Sequence, residues 1–249
     1  SICGPDVRWV GNEGGKTRKS EFCVVPARLA DAEKTHEKSQ HGEGDAAALK
    51  KLNNMDEDLG SRKVLSMARD LIWYPAEVDV SIRKGWFWSK NEDRTVKSAR
   101  RLFKLYLGSV GNNCTLLLNV PPTNKGVIHP RDAHALKGMG QAIRKMTEHP
   151  IITYRLGELQ PEQGYIDFDF DSVHKLKYVI LSEEIRKSQR VEAFELWAKK
   201  PNGKMKRIYK GTVIGMKKIV RRGLNCLGVR LVIRQSRSTP NIAEIGFYE

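Results

Sequence analysis

Four stretches of this 249-residue chain hold side chains that could act together on a polar substrate. Arg8, Trp9, Asn12 and Glu13 lie close together, Glu77 and Asp79 stand two apart, Arg83, Trp86 and Trp88 follow, and Asn119 ends an apolar run. Carboxylates and guanidinium groups hydrogen-bond hydroxyls, and tryptophan faces stack on the C–H faces of sugar rings. A sugar site is the chemistry this set suits. A plainer reading stays open: Trp73 and Trp86 as packing residues, and Glu77 as the partner of an arginine.

Such side chains need rigid elements to aim them. Val78–Arg83 alternates apolar and polar residues, which puts Asp79, Ser81 and Arg83 on one strand face and Val78, Val80 and Ile82 on the other. Val96, Ala99, Phe103 and Tyr106 recur at helical spacing. Thr115–Val120 reads as a strand buried on both faces, as parallel sheets require, and Pro121-Pro122 ends it. Pro130 can open a helix whose apolar stripe is Leu136, Met139, Ile143 and Met146. Strand–helix–strand–helix order implies βα units with right-handed crossovers. In a (β/α) barrel the site lies at the carboxyl ends of the strands, where Arg8, Trp9, Asn12, Glu13, Arg83, Trp86, Trp88 and Asn119 fall, with Glu77 and Asp79 a little earlier. Two complete units and one incomplete opening cannot close a barrel, so this domain reads as a fragment whose partner units lie upstream.

A long charged stretch, about residues 28–71, reads as an inserted loop with short helices near Ala46–Leu52 and Arg62–Leu71. His36 and His41 within it read as loop surface. Beyond Glu148–Pro150 the pattern changes to seven short strand candidates: Ile151–Tyr154, Tyr165–Phe170, Tyr178–Leu181, Glu192–Trp197, Lys206–Tyr209, Leu227–Ile233 and Ile242–Phe247. They suggest a β-sandwich. The reading is thus α/β plus all-β, residues 1–149 and 150–249.

Apolar residues form 40% of the chain and charged residues 29%, a balance that supports a core. No apolar run of about 18 residues is present, so no membrane span is expected. The formal net charge is +15, and Leu196–Ala243 has thirteen Lys and Arg without one Asp or Glu. This face suits phosphate, sulfate, sialate or an anionic surface, and equally a solvated exterior. Nucleic-acid binding rests on charge alone, because no motif appears and aromatics do not interleave with the basic cluster. Cys3, Cys23, Cys114 and Cys226 lack metal or redox spacing and read as buried thiols. Asn113-Cys114-Thr115 is a formal glycosylation sequon beside a buried strand, so it should stay unmodified.

The blocks GPDVRWVGNEGG, WYPAEVDVSIRKGWFW and NCTLLLNVPPTNKGVIH resemble, in order and spacing, three blocks of the α-L-fucosidases of glycoside hydrolase family 29. RWVGNE and AEVDVSIR with GWF are most similar to its α-1,3/1,4 branch. Val229–Arg237, with Pro240 and Glu244–Tyr248, resembles the closing strands of that family's galactose-binding-like sandwich. The resemblance implies the C-terminal part of a (β/α)8-type barrel followed by that sandwich, and a retaining exo-hydrolysis of terminal α-linked fucose. There an aspartate attacks the anomeric carbon while a second carboxyl protonates the leaving oxygen and later activates water. Glu13 matches the acid/base position, with Glu21 its nearby competitor. Arg8, Trp9, Asn12, Glu77, Arg83 and Trp86 would bind substrate. The nucleophile and the fucose-binding histidines would lie upstream, so the chain alone should be inactive.

No cofactor or metal is implied. The implied partners are a fucosylated oligosaccharide or glycoconjugate and the complementary N-terminal half of the barrel, in an extracellular or periplasmic setting. Lys84 departs from the family's usual proline, and Lys16 and Lys19 put cations beside an acid that must hold its proton near neutral pH. The competing reading is a non-catalytic carbohydrate- or anion-binding module.

Overall fold

The computed structural model describes residues 6–18, 20–30, 58–159 and 164–249. The readings placed on Cys3, Lys19, His36, His41 and the helix near Ala46–Leu52 lie outside these residues. Two compact units divide the chain: Ser1–Val110 with Cys114–Lys145, and Gly111–Asn113 with Met146–Glu249. Among the described residues no helix is long and apolar enough to cross a membrane.

The first unit is built on a three-stranded parallel sheet, β1 (Arg8–Trp9), β4 (Ala76–Ser81) and β5 (Cys114–Asn119), in the order β1-β4-β5. Register pairs Trp9 with Glu77, and Glu77, Asp79 and Ser81 with Thr115, Leu117 and Asn119. Residues paired in this way share a sheet face. One face therefore carries Val10, Val78, Val80, Leu116 and Leu118. The other carries Trp9, Glu77, Asp79, Ser81, Thr115, Leu117 and Asn119.

Helices cover only the first face. They are α2 (Ala99–Gly108) and α3 (Pro130–Thr147), which follow β4 and β5. Leu102, Leu105, Ala135, Leu136 and Met139 pack with Ile82, Leu118 and Val120. The α2 stripe is thus Leu102 and Leu105, one position round from the expected Phe103 and Tyr106. Those two rings stack on each other instead, with centroids 6.5 Å apart. Ser98 caps α2 by accepting the Arg101 N–H, and Gly138 lets α3 approach Ala99, where a Cβ would come within 2.6 Å of that side chain. Among the described residues of the first unit no helix covers the second face, and Leu117 on it is 50% exposed. A parallel sheet open on one side departs from the rule that both faces are covered.

The end of the charged loop differs from its expected helix. Only Arg62–Leu65 is helical (α1), capped by Ser61. Leu71–Trp73 instead forms β3, antiparallel to β2 (Val24–Pro26). Period-2 alternation wins there: Ile72 turns in, while Leu71 and Trp73 stay exposed. Trp73 is therefore not a core residue.

The second unit is one antiparallel sheet in the order β10-β9-β11-β8-β12-β6, with β7 paired to β12. Its strands are β6 (Pro150–Tyr154), β7 (Gly157–Glu158), β8 (Tyr165–Glu183), β9 (Val191–Lys199), β10 (Met205–Gly211), β11 (Lys218–Ser236) and β12 (Asn241–Tyr248). The segments expected as two strands, Tyr165–Phe170 and Tyr178–Leu181, are one 19-residue strand, β8. It runs antiparallel to the equally long β11, and two register irregularities lie between them. Bulges bend and twist strands of this length, so one strand can serve two stretches of core. Gly228 sits at one irregularity because a Cβ there would come within 2.5 Å of the Phe168 carbonyl oxygen. Phe168, Phe194, Leu181, Leu196, Leu231 and Phe247 centre the core. Asn113, the sequon asparagine, is buried and its Oδ1 accepts the Met216 N–H.

Five of the thirteen cations in the basic stretch are paired with acids across strands. Asp167 binds Arg230 through two bonds of 2.7 Å, Asp169 binds Lys199, Glu192 binds Arg237, and Glu195 binds Arg207 and Arg234. Sequence segregates the charges by strand, and the sheet interleaves them. Lys206 and Lys210 lie on β10, an edge strand, where lysine discourages edge-to-edge pairing.

Candidate functional site

The carboxyl ends of β1, β4 and β5 bring together residues far apart in sequence. After β1 the chain turns at Gly11 (φ 95°), and Asn12 folds the next residues round itself. Asn12 Oδ1 accepts the Gly14 and Lys16 N–H groups, and its Nδ2 donates to the Lys16 carbonyl. Asn12, expected at the substrate, shapes the loop instead. Gly15 closes the turn at φ 72°, with Leu105 and Val80 against it. These constraints leave Glu13 at the exposed apex.

Trp86 reaches Glu13 from the loop after β4, its Nε1 donating to Glu13 Oε2 at 2.9 Å. Behind this pair stand Glu77 and Asp79 on the open sheet face, with Trp9 beside Glu77 by register. Burial pushes the Asp79 carboxyl up, and the nearby Glu13 carboxylate pushes it further, against an opposing hydrogen bond from the Val80 backbone. Burial likewise raises Glu77, followed by repulsion from Asp79. Asp79 Oδ1 and Trp9 Nε1 are buried without a hydrogen-bond partner among the described residues. Three carboxylates and two indoles thus converge. Phe87, next to Trp86, is 87% exposed.

Two expected site arginines are elsewhere. Arg8 alternates to the helix-covered side, where Nη2 donates to Glu21 Oε2 at 2.8 Å and to the Phe22 carbonyl. Arg18 closes the other side of Glu21, its backbone N–H donating to Oε1 at 2.7 Å. Glu21 is fully buried between these donors, which removes it as a rival for proton transfer. Arg83, fully buried just beyond β4, donates through Nε to Asp132 Oδ2 and through Nη1 to Asp93 Oδ1, both at 2.9 Å. It fastens the end of β4 to the start of α3. Each arginine is ion-paired with an acid distant in sequence, while Arg8 Nε and Nη1 and Arg83 Nη2 are buried without a hydrogen-bond partner among the described residues.

Sequence reasoning named Asp79 among the polar candidates without assigning it to the implied site, and the structure places it in the field of Glu13. The period-2 spacing of Glu77, Asp79 and Ser81 carried that signal. Among the described residues no His, Cys, Asp and Glu group is arranged to hold a metal ion.

Comparison with known proteins gives the family of the chain. The family model for α-L-fucosidase matches residues 6–148. The chain is 29% identical to α-L-fucosidase 1 of Arabidopsis thaliana, over all of this chain and 50% of that protein. A Bacteroides ovatus structure solved as a candidate α-L-fucosidase superposes with a TM-score of 0.79 at 35% identity, covering 100% of this chain and 42% of the other. A glycoside hydrolase family 29 member from a rumen bacterium gives a TM-score of 0.72 at 28% identity, with 98% and 40% covered. The chain spans about half the length of the curated relatives it matches. Glu13 and Trp86, Glu77 and Asp79 all fall inside the matched segment, and the chain belongs to the α-L-fucosidase family.

Proposed function

We propose that this chain supplies the acid/base side of a retaining exo-α-L-fucosidase, with Glu13 as the proton-transferring group. The supporting observation is the exposed Glu13 carboxyl held by Trp86 at the carboxyl ends of parallel strands, with Glu77 and Asp79 behind it. In this reading the first unit is the C-terminal part of a (β/α)8-type barrel and its open face looks into the barrel interior. The second unit is the family's β-sandwich. The nucleophilic aspartate belongs to the part of the relatives' length that this chain does not span.

The reaction then has two steps. The aspartate carboxylate bonds to the anomeric carbon as the bond to the leaving oxygen breaks, and Glu13 gives that oxygen its proton. Water next attacks the fucosyl ester, Glu13 takes a proton from it, and fucose leaves with its configuration retained. This geometry calls for the two carboxyls to be about 5–5.5 Å apart. Trp9 and Trp86 offer apolar ring surface, and Glu77 a carboxylate, for a fucosylated glycan. The test uses the full-length protein. Glu13→Ala should slow hydrolysis of fucosides with poor leaving groups far more than that of activated aryl fucosides. Equal losses on both classes remove Glu13 from the role.

A further inference from the structure

The two oxygens of Glu13 are not equivalent. Trp86 Nε1 donates to Oε2 at 2.9 Å, and an indole N–H can donate but never accept. When Glu13 is protonated, its carbonyl oxygen is the stronger acceptor, so the indole bond favours Oε2 as that oxygen. That arrangement leaves the O–H on Oε1.

The indole is itself held from β5. Asn119 Nδ2 donates to the Trp86 carbonyl at 2.9 Å and to Ser81 Oγ at 3.1 Å. Ser81 Oγ donates in turn to the Gly85 carbonyl at 2.7 Å, and the Gly85 N–H donates to Glu92 Oε2 at 2.9 Å. These bonds fix the backbone on both sides of the Lys84–Trp86 turn. The linkage runs from the end of β5, through the loop after β4, to the loop after β1.

We propose that Trp86 is a positioning residue that reserves Oε2 of Glu13 and leaves Oε1 to carry the transferred proton, and that Asn119 sets Trp86 in place through its backbone. The inference rests on the acid/base reading of Glu13. In the first step the Oε1–H bond breaks as the proton passes to the glycosidic oxygen, whose bond to the anomeric carbon breaks as the nucleophile's bond forms. In the second step a water O–H bond breaks and Oε1 regains a proton. Oε2 keeps its indole bond throughout, so Glu13 need not rotate between steps.

Two measurements separate this inference from the function it rests on. In the 249-residue chain, nitrogen-15 spectra of the indoles should show the Trp86 signal, identified by its loss in Trp86→Phe, moving as Glu13 takes up its proton. In Glu13→Gln that movement should stop, and Asn119→Ala should shift the same signal. A Trp86 indole that responds to neither change overturns the positioning role, whatever the enzyme does. In the full-length enzyme, Trp86→Phe keeps the ring and loses the N–H. It should cut kcat/KM about tenfold more for poor leaving groups than for activated aryl fucosides, and should move the alkaline limb of the pH profile. Equal losses with an unmoved limb overturn the proposal. Absence of any fucose release from the parent enzyme overturns the acid/base reading instead, and leaves the indole result to stand alone.

Discussion

Replacing Asp132 by Ala tests whether Arg83 is a structural clamp or a substrate ligand. Both side chains are fully closed to solvent and meet at 2.9 Å. The variant leaves the guanidinium buried with one ionic partner, Asp93, whose side chain is 21% exposed. Removing one member of a buried ion pair costs about 3–5 kcal/mol, chiefly the desolvation of the charge left behind. That is a large share of the roughly 5–15 kcal/mol by which a domain is stable, and corresponds to a fall in Tm of roughly 10 °C. Urea unfolding monitored by near-ultraviolet circular dichroism and by fluorescence would measure it. The double variant Arg83→Met with Asp132→Leu should recover most of the loss, because an apolar pair of similar volume carries no stranded charge. A cost below about 1 kcal/mol for Asp132→Ala, or a double variant as unstable as the two single losses combined, would refute the clamp.

Other consequences are as direct. Glu183 accepts backbone N–H groups of Arg190, Val191 and Gly215 at 2.7–2.8 Å, so Glu183→Ala should cost about 3 kcal/mol or more in thermal unfolding. Gly15→Ala should destabilise by more than about 1 kcal/mol and lower activity with it, because φ is 72° and the new Cβ would meet Leu105 at 2.6 Å. His174 is bonded to Asp171 and Glu249, and these carboxylates raise its pKa above 6.5, Asp171 first. Its contribution to stability is complete below 6.5 and is lost as pH rises through its folded value. Imidazole NMR should show that raised value, and His174→Asn should flatten the pH dependence of unfolding above 6.5.

Local pattern carried much of the fold. Val78, Val80 and Ile82 turn inward as their alternation requires, and Pro130 opens α3. The errors came where a partner strand decided the outcome. Leu71–Trp73 forms no helix because Val24–Pro26 offers it a ladder. The 165–183 stretch reads as two strands only until β11 is laid beside it, since its polar middle, Asp171–Lys175, looks like a turn in isolation. Five cations of the basic run have their counter-ions 12 to 63 residues earlier in the chain, at Asp167 and Glu195 among them. Residue type within one strand cannot reveal a pair that forms only across the sheet.

The site shows the same limit in sharper form. Glu13, Trp86 and Trp9 could be named as candidates because strand ends in a βα unit face one way and each stands at or just beyond such an end, whereas Glu77, the second residue of β4, shares only the sheet face. Arg8 and Arg83 stand there too and went the other way. A strand-end arginine can serve a substrate only if no closer acid claims it. Glu21 claims Arg8 from 13 residues away and Asp132 claims Arg83 from 49 residues away. Both pairs are buried, where an unpaired guanidinium is costly, so structural pairing outweighs display to solvent. Glu13 escapes this competition by its loop. Asn12 spends its amide on Gly14 and Lys16, Gly11 and Gly15 supply the positive φ angles, and the carboxyl is carried out to where the indole N–H of Trp86 meets it. In the proposed reading, what leaves a carboxylate of this sheet free for proton transfer is not its position along a strand but the absence, among the described residues, of a buried cation within its reach.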